Sequence, residues 1–276
     1  MPAVELHVRD LGGSGRPSLV VLHGLYGSSR NWVTAGRALS ERYHVVALDL
    51  RNHGQSPQRA GMAYEELAGD VLATLDRAGI DDVAIMGHSL GGKVAMALAC
   101  RHPERVRELF VLDIAPREYA PDTSLLDALL AVDLSAVTRR AEAEEQLVDA
   151  IPDRGLRLFL LTNLVRGSGS ERSDSSERPD ESDQPGESDQ DYVWQSDLEA
   201  LRAGMNEIRA NPLSPADRFD GPTTFIVGSR SRYVTERDRG AILEHFPKAQ
   251  IVELEGVGHD VHTEGGEAFL DAVLAR

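Results

Sequence analysis

The chain is expected to fold in the α/β class, as a mostly parallel central sheet flanked by helices. Three observations carry that expectation. Short β-branched-rich apolar runs recur between segments of helical spacing. One such run ends in a Gly-rich turn with a serine at its centre. The alternation stops over a long middle stretch and then resumes. With 276 residues, 41% of them hydrophobic, the chain can bury a core without a staple, and a single cysteine, Cys100, cannot form an internal disulfide.

Val4–Val8 alternates as an edge strand would, whereas Ser18–Leu22 and His44–Leu48 are continuous apolar runs of the kind buried on both faces. Trp32–Arg42 has helical spacing between them, and Tyr64–Ala78 sets Leu67, Val71 and Leu75 on one helix face. Val83–Met86 reads as a strand, Gly91–Arg101 as a small-residue helix, and Leu109–Leu112 as the next strand. After the break come strand Thr223–Val227, helix Thr235–His245, strand Gln250–Leu254 and helix Glu264–Leu274.

The break itself, 117–212, holds Leu125–Val132, Glu142–Ala150, Leu156–Val165 and Leu198–Ala210, all of helical character with no strand between them. A helical excursion of this kind reads as a cap, leaving residues 1–116 and 213–276 as the core. Within it, 168–191 contains no apolar residue but nine acids, two arginines and seven serines, so disorder is expected there.

The formal net charge is −16, with 45 acidic against 29 basic residues. That sign excludes a nucleic-acid binder, which needs a basic face to neutralise phosphates. Only Lys93 and Lys248 are lysines; acidity with scarce lysine suits a salt-rich cytoplasm, and a GC-rich genome gives the same arginine bias. No apolar run approaches the ~18 residues of a membrane span. The first residues lack a secretory signal, so a cytoplasmic location is expected. No His, Cys, Asp or Glu spacing suggests a metal site, and no G-x-G-x-x-G or P-loop register suggests a nucleotide, so no cofactor is expected.

Gly87-His88-Ser89-Leu90-Gly91 follows a strand and opens a helix, the setting in which G-x-S-x-G carries chemistry. Small residues two places either side of Ser89 permit a turn too tight for a side chain. The helix N-terminus then favours the charge that develops on an attacked carbonyl. A base is expected after the last strand, and among nine histidines His259, in Gly256-Val257-Gly258-His259, satisfies the chain order; His262 is the nearby competitor. His23 and His88 read as structural, and Asp49, Arg51 and His53 as braces of the turn after His44–Leu48.

These stretches resemble the α/β-hydrolases, and more narrowly the small bacterial esterases and thioesterases grouped with a mitochondrial abhydrolase relative. The matching residues are Leu22-His23-Gly24-Leu25-Tyr26-Gly27-Ser28, Asp49-Leu50-Arg51-Asn52-His53-Gly54-Gln55-Ser56-Pro57, Gly87 to Lys93, Asp113-Ile114-Ala115-Pro116 and Gly256 to His259; the 168–191 insert departs from the family. The resemblance implies the α/β-hydrolase fold, with a helical cap inserted after the sixth strand. It also implies an oxyanion hole from the N–H groups of Leu25 and Leu90. Most relatives carry an acid three residues after the Gly that ends the seventh strand, where this chain has Ser231. A serine cannot bear that charge, so Asp113, ending the preceding strand, takes the place, with Glu236 and Asp238 as alternatives.

The expected activity is a serine hydrolase acting on a small-molecule acyl ester or thioester through an acyl-enzyme. Tyr26 below and Trp194 above are expected to line an acyl pocket. Two other readings stay open: a menaquinone-pathway lyase using the same triad, favoured if cap arginines 139, 140 and 157 face the pocket, and a non-catalytic receptor.

Overall fold

A computed structural model of the chain describes residues 2–167 and 191–274. The acidic insert read at 168–191 lies outside the described residues, Asp191 excepted. The strands are β1 (Val8–Asp10), β2 (Ser18–Leu22), β3 (His44–Leu48), β4 (Val83–His88), β5 (Val106–Leu112), β6 (Leu164–Arg166), β7 (Tyr192–Trp194), β8 (Thr223–Gly228) and β9 (Ala249–Leu254). The helices are α1 (Val33–Leu39), α2 (Tyr64–Arg77), α3 (Leu90–Arg101), α4 (Ser124–Leu130), α5 (Arg140–Leu147), α6 (Arg154–Leu160), α7 (Leu198–Ala203), α8 (Met205–Arg209), α9 (Arg239–His245), α10 (Val261–Glu264) and α11 (Gly266–Leu274).

Seven strands form one sheet in the order β1-β3-β2-β4-β5-β8-β9, parallel throughout except for β1. All of β4 and β8 is buried, as are Leu19–Leu22 and Val45–Leu48, which is why these strands read as continuous apolar runs. The strand order reverses at β2, with β3 on one side and β4 on the other. In open α/β sheets the crevice at such a reversal, outside the carboxyl ends of the strands, is where ligands bind. Small residues let α3 lie close on the sheet: a Cβ on Gly92 would stand 2.9 Å from Gly87 O of β4. The core on one face gathers Trp32, Leu39 and Tyr43 with Phe269 and Val273 of α11.

The chain divides into two compact units, Met1–Thr123 with Ser196–Arg276, and Ser124–Gln195. The second unit is narrower than the 117–212 excursion read from the sequence. Residues 117–123 and helices α7 and α8 belong to the first unit, where Tyr119 N–H donates to Arg209 O at 2.8 Å and Asp197 N–H to Asn52 O at 2.9 Å. The excursion departs from β5, the fifth strand rather than the sixth, because a single strand precedes β2 in this sheet.

Other elements differ from the sequence reading for identifiable reasons. The alternation at Val4–Val8 is not a strand. Val4 and Leu6 are buried, and their N–H groups bond Asp70 Oδ1 (2.8 Å) and Thr74 Oγ1 (3.0 Å) of α2, so pairing begins only at Val8. The helix expected at Leu156–Val165 stops at Leu160, and the excursion does contain strands: β6 pairs antiparallel with β7, Leu164 opposite Trp194. Leu198–Ala210 breaks at Gly204, where a Cβ would come within 2.5 Å of Met62 Cγ.

Candidate active site

Among the described residues, four non-glycine residues have positive φ, namely Tyr26 (67°), Asn52 (64°), Ser89 (51°) and Asp113 (51°), and they follow the carboxyl ends of β2, β3, β4 and β5 in turn. Left-handed backbone costs a side-chain-bearing residue of the order of 1 kcal/mol or more and clusters at functional sites. Ser89 alone joins β4 to α3, with φ 51° and ψ −113°. The turn leaves no room around it. A Cβ on Gly87 would fall 2.1 Å from Gly91 O, and one on Gly91 2.6 Å from both His23 O and Leu22 O. Ser89 N–H donates to Leu112 O (3.0 Å) and Gly91 N–H to His23 O (3.1 Å), tying the elbow to β5 on one side and to the loop after β2 on the other.

That second loop closes through Gly27 N–H to Gly24 O at 3.0 Å, with Tyr26, half-buried, at its left-handed position. Neither Leu25 nor Leu90 N–H donates in any loop or turn bond among the described residues. His23 is spent on the scaffold. Its Nε2 accepts Leu50 N–H (3.0 Å), so the proton sits on Nδ1 and goes to Gly24 O (2.8 Å). Asp49 accepts the N–H groups of Ser29 (2.5 Å) and Gln55 (2.8 Å), and Arg51, fully buried, forks onto Asp70 at 2.6 and 2.8 Å. His53 packs 4.9 Å from the His23 ring. All four thus brace this edge of the sheet.

Asp113, fully buried one residue past β5, accepts Gly228 N–H on Oδ1 at 3.1 Å. Its Oδ2 faces His259 Nδ1 at 2.7 Å. A carboxylate only accepts, so the imidazole proton sits on Nδ1 and Nε2 is left with a lone pair. Ser231 Oγ also donates to Asp113 Oδ2. Ser231, at the position where the sequence resemblance implies an acid, thus holds the same Asp113 oxygen that faces His259. The alternatives are engaged elsewhere: Glu236 pairs with Arg239 at 2.6 Å, and Asp238 with Arg117 at 2.9 Å.

His259 is partly exposed, its carbonyl accepting His88 Nε2–H at 3.0 Å and its ring lying 4.6 Å from the His88 ring. No hydrogen bond joins Ser89 Oγ to His259 among the described residues; such contacts often tighten only with substrate bound. His262 is not a competitor for Asp113, for it stacks on Trp32 with centroids 4.5 Å apart. Trp194, half-buried, lies in the second unit opposite Leu164. Tyr233, which sequence reasoning missed, stacks on the His259 ring. The signal was an aromatic two residues past Ser231. No group of His, Cys, Asp and Glu among the described residues could hold a metal ion, and no described helix is long and apolar enough to cross a membrane.

Burial pushes His53 down to about 3 and His262 to about 4. In the unfolded chain such rings take a proton near pH 6.5. Between those values unfolding binds protons, so the stability these rings contribute is complete above about pH 7 and falls as pH drops. The unfolding free energy, measured by denaturant titration between about pH 5 and 7.5, is expected to fall as pH drops, by an amount on the order of a few kcal/mol. The His262→Gln variant is expected to flatten that slope; an unchanged slope would contradict this assignment.

A family profile described as the alpha/beta hydrolase fold matches residues 17–266. The chain belongs to the α/β-hydrolase family. This α/β-hydrolase is 32% identical over 273 residues to the sn-1-specific diacylglycerol lipase ABHD11 of Mus musculus, covering 96% of this chain and 82% of the relative. It is 32% identical to esterase YbfF of Escherichia coli strain K12, over 92% of this chain and 91% of that one. Among solved structures, a marine microorganism esterase superposes with a TM-score of 0.87 at 33% identity, covering 99% of each chain.

Proposed function

We propose that this α/β-hydrolase cleaves carboxylic esters through an acyl-enzyme formed on Ser89. The observation that carries the reading is the 2.7 Å bond between His259 Nδ1 and the buried Asp113, which leaves Nε2 unprotonated at the sheet edge that also bears the strained Ser89. His259 Nε2 takes the Ser89 proton as Oγ attacks the acyl carbonyl carbon. The oxyanion is held by the Leu25 and Leu90 N–H groups. The imidazolium gives its proton to the departing alcohol or thiol. Water then attacks the acyl-enzyme, its proton passing through His259 back to Ser89 Oγ as the acid leaves.

Relatives named as a lipase and esterases support an oxygen ester as the first substrate class, with thioesters second. Tyr26, beside the proposed oxyanion donor Leu25, would contact the acyl group. The lyase reading asks for cap arginines that face the pocket, and the three named arginines hold partners within their own unit instead. Arg139 pairs with Glu142 (2.9 Å), Arg140 donates to Leu164 O (2.7 Å), and Arg157 donates to Ile151 O (2.7 Å) and Pro152 O (3.0 Å).

The test is a panel of p-nitrophenyl esters and acyl-CoA thioesters of graded chain length, followed by acid release. Turnover of several esters, with burst kinetics from acyl-enzyme accumulation, is expected. Binding without turnover of any member would replace this reading with a receptor.

A further inference from the structure

Tyr233 lies in the loop after β8, two residues beyond the serine that supports Asp113. Its ring covers one face of the His259 imidazole, with centroids 3.9 Å apart and planes inclined by only 19°. That geometry is a flat stack rather than the edge-to-face contact common between aromatic rings.

The ring is held there from several directions. Tyr233 N–H donates to Ser231 Oγ at 3.2 Å. Tyr233 O accepts from the hydroxyl of Tyr119 at 2.7 Å, and that hydroxyl in turn accepts Ala115 N–H at 2.9 Å. Tyr119 is itself buried, with the Arg117 guanidinium 3.8 Å and Lys93 Nζ 4.7 Å from its ring centroid. The Tyr119 and Tyr233 rings meet at 5.7 Å. The loop carrying Asp113 and the loop carrying Tyr233 are thus fastened by one phenol, so acid and stacking ring are registered against the same imidazole.

We infer that Tyr233 is a positioning residue for His259: it keeps the imidazole in the plane that meets Asp113, and its π face stabilises the imidazolium that forms as Ser89 is acylated. A stacked, partly desolvated aromatic face attracts a cation through its ring quadrupole. The other groups facing this imidazole cannot supply the same attraction, apart from two carboxylates. From β5 comes Asp113, in line with Nδ1. From its own loop comes Asp260, whose carboxyl burial pushes above the usual range. From β4 and α10 come His88 and His262, both driven towards the neutral form by burial. Arg117, beside Tyr233, is paired with Asp238 at 2.9 Å. Among the described residues, the His88 ring is tilted 47° to this imidazole, whereas the Tyr233 ring lies flat on it and presents its π face to a transient cation.

The inference rests on the proposed role of His259 as base, and the experiment separates the two. Ester hydrolysis is measured from about pH 5 to pH 9 for wild type, Ser89→Ala, Tyr233→Phe, Tyr233→Leu, and variants carrying mono-, di- and trifluorinated phenylalanine at 233. Tyr233→Phe is expected to stay within about twofold of wild type, since the π face remains. Tyr233→Leu is expected to lose roughly tenfold in kcat with KM changed by less than about twofold, and its acidic limb of kcat/KM is expected to move to lower pH. The fluorinated series keeps the ring's shape while draining its electron density, so kcat is expected to fall stepwise with each fluorine. A flat fluorinated series, or an acidic limb that stays in place in Tyr233→Leu, overturns the inference about Tyr233. Retained turnover in Ser89→Ala overturns the mechanism beneath it instead.

Discussion

Ser89→Ala is expected to lower kcat by about 10⁶, the scale on which removal of the nucleophile acts in a well-studied serine hydrolase. The expectation is this large because the serine cannot be replaced locally. The turn that presents it is fixed by Gly87 and Gly91, whose absent Cβ atoms would meet backbone carbonyls, and no neighbouring hydroxyl shares its strand-to-helix position. The fold is expected to survive, since alanine keeps the Cβ and removes one partly exposed oxygen. A fluorophosphonate probe, read by intact mass and peptide mapping, is expected to label wild type at Ser89 and leave the variant unlabelled. Turnover by the variant within about a hundredfold of wild type would mean that another group attacks the carbonyl.

Asp113→Asn is the second large effect, expected to cost roughly 10⁴ in kcat, the scale of the same change in a serine protease. The buried carboxylate accepts from three groups: Gly228 N–H, Ser231 Oγ–H and His259 Nδ1–H. An amide in its place turns one of those acceptors into a donor. Its N–H₂ then faces the imidazole and drives the proton to Nε2, where no base remains. Adding Ser231→Asp to that variant is expected to restore part of the loss, because Ser231 already reaches the oxygen that meets His259. Restoration is expected to stay incomplete. An aspartate at 231 has the arginines 230 and 232 as neighbours, which compete with imidazole for its charge. If Asp113→Asn keeps activity within about tenfold while Glu236→Gln collapses, the acid is Glu236 and the proposed triad fails.

Much of the fold is legible because β2 to β4, the Leu109–Leu112 half of β5, and β8 are buried and announce themselves as largely apolar runs. The elements that escape are those whose cause is tertiary. Val4 and Leu6 alternate because α2 captures them, not because a strand pairs there. The strands β6 and β7 are three residues each, too short for any periodicity. The site divides in the same way. The elbow is written in local glycines, and the Asp113 position follows from the end of an evident strand. The contacts of Ser231 and Tyr233 reach across 118 positions of sequence to Asp113 and onto the His259 ring, so the local pattern marks their places but not what they touch.

The ribbon of β6 and β7 has a practical meaning for the evolution and engineering of this chain. Gly167 N–H donates to Asp191 O at 2.9 Å, so the two ends of the intervening segment are already clasped. Once ends meet, added length is cheap, since each doubling of a flexible loop costs only about 0.6 kcal/mol in closure entropy. Two ends held this close are suited to serve as a splice port, a place to insert sequence without moving the strands on either side. A reporter domain with adjacent termini, grafted between Gly167 and Asp191, is a natural use for it.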